Sequence, residues 1–422
     1  MNIAIIGGGT AGAAAALFLA RDGHRVVLHE RVPEPAPLGA GILIQPTGQA
    51  VLRELGLADE IRFKGAPVFQ LYGTNHTGRV VMNLQYTDWH STACGIGLHR
   101  GVLFQALWRA LRASTVEVRT GSDVTALNDL GGAVGLRGTS GPQGGDANLG
   151  EHDLVVVADG TRSALRADLG VRHKVRPYPW GALWAILPDP QQEYRGGLRQ
   201  WYRRAGQMLG VMPTGTAPDS HTPVVSLFWS LRADRLKTWQ ALGLAAWKRE
   251  VADLAPETRG LLAHIGRAEQ LTWAGYSDVV MRRWHKERVV VIGDCAHAMS
   301  PQLGQGANLA LIDAKVLADC VREHPDNPEQ ALASYSKRRR GHLRFYQSAS
   351  RWLTPVYQSD AWLIPAMRDS FMNLSSRIPP MRDHMLTTLI GVRAGWMFGR
   401  YNGEADPYGN GDGTPVESAR LL

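Results

Sequence analysis

The chain carries glycines in the spacing Gly7-x-Gly9-x-x-Gly12, which lets backbone rather than side chains meet an anion. Gly7 allows a tight turn, Gly9 lets a pyrophosphate approach the main chain, and Gly12 lets a helix pack on a strand. A helix opening at Thr10-Ala11 presents unbonded N–H groups and the positive end of its dipole. Glu30 can accept hydrogen bonds from ribose hydroxyls; Arg31 beside it could stack on adenine or simply be solvated. Together these residues predict dinucleotide binding. A second stretch runs Gly293-Asp294-Cys-Ala-His297-Ala-Met-Ser-Pro301-Gln-Leu-Gly304-Gln-Gly306-Ala307-Asn308. Asp294 stands at a strand end, where its carboxylate can accept hydrogen bonds, and the helix entered at Ala307-Asn308 presents free N–H groups that stabilise negative charge. His297 is a candidate base or a packing residue, and Cys295 reads as a small buried residue.

These residues need a scaffold, and the hydrophobic pattern supplies one. Ile3-Ala-Ile-Ile6, an alanine-rich helix and Val26–Glu30 form a strand–helix–strand unit. Leu154-Val-Val-Val-Ala158 and Arg288-Val-Val-Val-Ile292 are continuous apolar runs, as expected of parallel strands buried on both faces. The first ends in Asp159-Gly160-Thr161-Arg162, where Asp159 and Arg162 stand at a turn. Arg100 opens a helix with Leu103, Leu107 and Leu111 on one side. The predicted fold is α/β: a discontinuous Rossmann-like domain over 1–175 and 281–345, with an inserted, mainly antiparallel lobe at 176–280. One helical segment near Trp239–Leu254 interrupts that lobe. Residues 346–422 read as helices broken at Pro355, Pro365 and Pro379-Pro380, followed by a loose tail.

Composition narrows the function classes. The 422 residues contain 46 Lys+Arg against 38 Asp+Glu, a charge of +8 that many soluble enzymes share. Lys337-Arg-Arg-Arg340 lacks interleaved aromatics and reads as a solvated helix face, so no nucleic-acid partner is expected. No apolar run is long enough for a membrane span. The 3 cysteines show no metal-type spacing, which suits a reducing cytoplasm, with no metal expected.

Taken in order, the glycine fingerprint, the Arg100 segment, Asp159-Gly160 and the Gly293–Asn308 segment resemble the single-component FAD-dependent aromatic hydroxylases with the para-hydroxybenzoate hydroxylase fold. The resemblance implies FAD as cofactor, with NADH or NADPH and O2 as co-substrates. It also implies an aromatic small molecule hydroxylated through a flavin C4a-hydroperoxide. It assigns flavin contacts to Arg100, Asp294, Pro301 and the Gly304–Asn308 turn, and nucleotide support to Asp159. A pocket is expected where the second lobe meets the flavin, lined by Leu43, Trp180, Trp184, Gln200, Tyr202, Met212 and Trp229. Tyr202 could orient or deprotonate a phenol, or be packed; Pro301 and His297 are the other catalytic candidates. A flavin-dependent halogenase or related reductase is the alternative, because Trp180–Pro188 loosely echoes a halogenase motif. A non-catalytic flavin sensor is a third reading. The chain is expected to be a monomer or homodimer. The apolar stretch Trp352–Met397 is expected to cap the substrate lobe rather than form a dimer surface or rest on a membrane.

Overall fold

The computed structural model describes residues 1–37, 39–141, 145–395, 409–410 and 414–415. Strand Asn2–Ile6 has no polar side chain between Ile3 and Ile6, and it lies at the heart of a six-stranded sheet. Leu154–Val157 and Val289–Val291 flank it on one side, and Arg25–Glu30 and Glu117–Thr120 on the other, all parallel. His285–Lys286 adds an antiparallel edge. Helix Thr10–Arg21, nearly all alanine and leucine on its buried side, packs against helix Gly306–Glu323. The two glycine-rich segments therefore leave strands of the same sheet, with Leu154–Val157 between them, and enter neighbouring helices. Strands Ser122–Asp129, Val134–Ser140 and Gly145–His152 form a separate antiparallel meander.

The second sheet has nine strands. The excursion from the first sheet begins and ends as one antiparallel pair, with His173 opposite Met281. Four strands come from before residue 100, namely Gly41–Ile44, Ala66–Asn75, Val80–Gln85 and Gly95–His99. The expected confinement of this lobe to 176–280 is thus corrected. Strand Ala66–Asn75 pairs in parallel with Gly196–Arg203, a partner that no local pattern could name. Alternation sorts the two faces. Leu183, Leu187, Leu227 and Trp229 face helix Leu236–Leu254, whereas Ala182, Trp184 and Ile186 face the opposite side.

Three helices complete the described chain: Pro328–Tyr357, Leu363–Ser375 and Pro379–Ile390. The expected break at Pro355 does not occur. That proline sits in the final turn, and the helix ends two residues later. Pro365, Pro379 and Pro380 occupy first turns, where the missing N–H would have no partner anyway. The expected tail lies outside the described residues, apart from a short pairing of Gly409–Asn410 with Thr414–Pro415.

Gly97 shows how closely two strands of the second sheet approach: a Cβ there would lie 1.9 Å from the Pro213 carbonyl oxygen. Gly97→Ala is expected to cost about 1–3 kcal/mol through forced backbone shifts. Urea unfolding monitored by circular dichroism checks this; an unchanged midpoint contradicts it.

Candidate active site

At the N-terminal turn the glycines behave differently from one another. Gly7 has φ 103°, and a Cβ there would meet the Ala158 carbonyl oxygen at 2.6 Å. A Cβ on Gly12 would lie 1.9 Å from the Gly7 oxygen, so helix and strand can touch only through glycine. A Cβ on Gly9 would meet nothing within 4 Å; it points into an open cradle at the helix N-terminus. Glu30 is fixed as its carboxylate accepts from the Gly8 and Val32 N–H groups at 2.8 and 2.9 Å. Trp108 Nε1 donates to the Gly8 oxygen at 2.9 Å and backs the turn. Arg31 and Arg162 are exposed.

Asp159 follows its strand into the same groove. One of its carboxylate oxygens is buried without a hydrogen-bond partner, and burial pushes its pKa up against the lowering effect of Ser163 and Cys295. Sequence reasoning missed Arg166. It is buried and donates to the carbonyls of Cys295 at 2.7 Å and Thr161 at 3.0 Å, so it stitches the Asp159 turn to the second motif. Burial, with Asp159 nearby, pushes the Cys295 thiol well above the ordinary range, as suits an inert residue.

Gly293 has φ 62°, and a Cβ there would lie 2.9 Å from Ala11 Cβ. The two glycine motifs are therefore in contact. Asp294 is exposed and lines the cavity into which this junction opens, together with Arg100, Pro301, Gly304, Gly306 and Ala307. Gly304 takes the left-handed conformation at φ 61° that ends the short turn Pro301–Leu303. Beneath the loop lies an ionic cluster. Asp313 accepts from the Gly293 N–H at 2.9 Å, from Arg339 Nε at 2.7 Å, and pairs with His297 Nε2 at 2.5 Å. Burial alone would raise the Asp313 pKa, but the His297 and Arg339 charges hold it below the usual carboxylate range.

The cavity has a volume of about 1590 Å³. Leu43, Trp184, Gln200 and Met212 line it, together with Tyr276, which sequence reasoning did not single out. The Tyr276 hydroxyl accepts from Trp184 Nε1 at 2.9 Å. Burial pushes the Tyr276 phenol up to about 12. Ile364, Met367, Phe371, Met381 and Met385 close the opposite side, so the C-terminal helices form a roof.

The family described as "FAD binding domain" matches residues 1–346. The chain belongs to the single-component FAD-dependent aromatic monooxygenases. It is 28% identical over 351 residues to 6-hydroxynicotinate 3-monooxygenase of Pseudomonas fluorescens, covering 80% of this chain and 87% of that one. It is 30% identical over 325 residues to 2-heptyl-3-hydroxy-4(1H)-quinolone synthase of Mycobacteroides abscessus, covering 76% and 82%. In fold it is similar to Klebsiella pneumoniae HpxO complexed with FAD and uric acid. The TM-score is 0.76, with 22% identity over 92% of this chain and 97% of that one.

FAD fits the groove of this monooxygenase on its own geometry. The open cradle at Gly9 and the exposed Asp294 carboxylate belong to the two motifs that meet at Ala11 and Gly293, and the buried, unpartnered Asp159 oxygen stands behind the Gly7 turn. Four sequence expectations need correction. Tyr202 does not line the cavity: Tyr357 and Arg368 cover its ring, at 5.6 and 4.5 Å, and its hydroxyl donates to Gln200. Burial, with Tyr357 adding, raises its phenol well above the ordinary value, so it is a packed residue rather than a base. Trp229 faces the helix-covered side of the sheet, and Trp180 is buried outside the cavity. His297 borders the cavity but is committed to Asp313, a positioning task rather than a catalytic one. The Asn308 side chain, for which nothing was expected, clamps Leu43 and Gln45 backbone to the Gly304 loop. The halogenase reading is not favoured, as the relatives are hydroxylating monooxygenases and no lysine is among the lining residues described.

Asp313→Asn is expected to cost about 3–5 kcal/mol, because the buried Arg339 guanidinium loses its counter-charge and His297 its carboxylate partner. A lowered carboxylate pKa stabilises the fold fully above the unfolded value of about 3.9 and loses that contribution as pH falls through the folded one. The stability gap between wild type and variant should therefore hold at pH 6 and shrink below about pH 4. Urea titrations across that range measure it.

Proposed function

We propose that the enzyme hydroxylates an electron-rich aromatic ring seated between Trp184, Met212 and Tyr276 on one side and the Pro301–Ala307 loop on the other. The observation that carries this reading is the Ala11–Gly293 contact, which sets the open cradle at Gly9 beside Asp294 at the mouth of the cavity. When bound, FAD supplies the redox chemistry: it takes a hydride from NADH or NADPH and activates O2. The protein binds, orients and keeps water out. In this reading Gly9 and the first N–H groups of helix Thr10–Arg21 hold the pyrophosphate, and Glu30 the ribose. Asp159 supports the phosphate region, and Asp294 accepts from the ribityl hydroxyls. Arg100 and the Gly304–Ala307 backbone bracket the ring, whose charge the N-terminus of helix Gly306–Glu323 stabilises.

Tyr276 stays protonated at neutral pH because its pKa lies near 12, and its hydroxyl already accepts from Trp184. Its own proton is available to a substrate oxygen. His384 on the roof is held below the usual imidazole value, mainly by burial and next by Arg393. A neutral imidazole there can take a proton from a substrate hydroxyl. The enzyme reads as a cytoplasmic monomer or homodimer; its three cysteines are free thiols, and no helix among the described residues is long and apolar enough to cross a membrane.

Holoenzyme should oxidise NADH or NADPH faster when an aromatic substrate is added, and ¹⁸O₂ should label the product. Hydrogen peroxide as the sole oxygen product with every aromatic tested would remove the reading. Asp294→Ala should weaken FAD about 10- to 100-fold by loss of charged hydrogen bonds, as read by flavin fluorescence during titration. Tyr276→Phe should lower kcat/KM about tenfold while flavin stays bound; an unchanged kcat/KM assigns Tyr276 to packing alone.

A further inference from the structure

We propose that the substrate carries an extended apolar part, an alkyl chain or further fused rings, which fills a methionine-lined arm of the cavity beyond the flavin end. This rests on the monooxygenase reading of the same site. The first observation is size. Pockets for drug-sized ligands are commonly about 300–1,000 Å³, and this cavity, which also holds the place of the flavin ring, is about 1590 Å³. The flavin end is bordered by Arg100, Asp294 and the Gly304–Ala307 loop. From there the same cavity runs on along an apolar arm continuous with Leu43 and Met212. Its floor is Leu71, Met82, Leu84 and Leu198, from strands that entered the sheet from outside 176–280 or pair with them. Its roof is the pair of helices Leu363–Ser375 and Pro379–Ile390.

The second observation is composition. Eight of the chain's 11 methionines line the cavity. Methionine is unbranched and polarizable, and it fills around irregular apolar shapes. A site for one small charged ring needs the opposite: few, fixed polar anchors.

The third observation is where the charge has gone. Arg368 is the guanidinium that could have anchored a carboxylate in the arm. It is instead bonded to Asp369 at 2.7 Å and to the carbonyls of Arg204 and Val356 at 3.0 and 3.1 Å. Gln302 donates to Gln358, and Gln305 to the Leu389 carbonyl. The amide N–H groups of Gln302 and Gln305 are thus spent on Gln358 and the backbone, and the Gln305 oxygen is buried without a partner. At the mouth, Trp352, Met367, Phe371 and Met381 both line the cavity and are exposed, so the entrance is apolar as well.

The test uses FAD-loaded enzyme and 4-alkylphenols from methyl to heptyl, with 4-hydroxybenzoate as the small charged ring. Flavin absorbance reports molecules seated beside the ring and gives each Kd. Burying a methylene should lower Kd about fourfold per carbon until the arm is full, leaving 4-hydroxybenzoate far weaker than the heptyl compound. A Kd that ignores chain length, or 4-hydroxybenzoate binding as tightly as heptylphenol, overturns the proposal. Met367→Trp, a bulky change at a half-exposed roof position, should bring the plateau to shorter chains; an unmoved plateau counts against the arm. NAD(P)H oxidation and product analysis on the same series report separately on the reaction. Chain-dependent binding without stimulated oxidation keeps the arm and removes the hydroxylation.

Discussion

The carboxylate of Asp313 is the charge around which the rest is arranged. It has no exposure to water, so its cost is met only by partners placed at bonding distance. Those partners come from three different elements: the Gly293 N–H at a strand end, His297 one short turn later, and Arg339 on the long helix Pro328–Tyr357. Satisfying the charge therefore fixes the strand–turn that carries Asp294 relative to the helix beneath it. It also sets Gly293 against Ala11, and so brings the N-terminal glycine turn to the same groove. Arg339 in turn contacts His342, which reaches the Gly391 carbonyl at the end of the roof. One buried ion pair thus couples the cofactor end of the site to its lid. A fully apolar replacement could be as stable, but it would not specify which backbone groups must meet there.

Much of the first sheet was legible because its determinants are local. Three apolar runs and a glycine spacing describe strands that pair in parallel and a turn that only glycine can make. Gly7, with its positive φ, and Gly12, with helix against strand, are cases where the physics lies in the residue itself. Membership of the second sheet was not legible. Ala66–Asn75 is a strand, but its pairing with 196–203 spans more than a hundred residues and depends on how the whole lobe closes.

The site divides along the same line. Alternation correctly placed Gln200 and Tyr202 on one face, and the two are hydrogen-bonded. What alternation cannot give is depth: Tyr357 and Arg368, from helices far along the chain, cover Tyr202 and leave Gln200 at the cavity. The Asn308 side chain is long-range in the same way: its amide bonds Leu43, Gln45 and Gly304, tying together two loops far apart in the sequence. Tyr276 and Arg166 belong to no motif. Only the folded chain shows that one meets Trp184 and the other the Cys295 carbonyl.

Helix Pro379–Ile390 ends in an unusual way. The carbonyls of Thr388, Leu389, Ile390 and Gly391, which a helix terminus leaves without intrahelical donors, are each bonded by a different side chain: Tyr346, Gln305, Thr47 and His342. This end is riveted to the loop beside the ring, whereas Ile378 and Met381 at the other end lie against solvent. Such a helix is hung like a door on one jamb. Swinging its outer edge would widen the entrance for a bulky guest while the four rivets keep the ring-side wall in register.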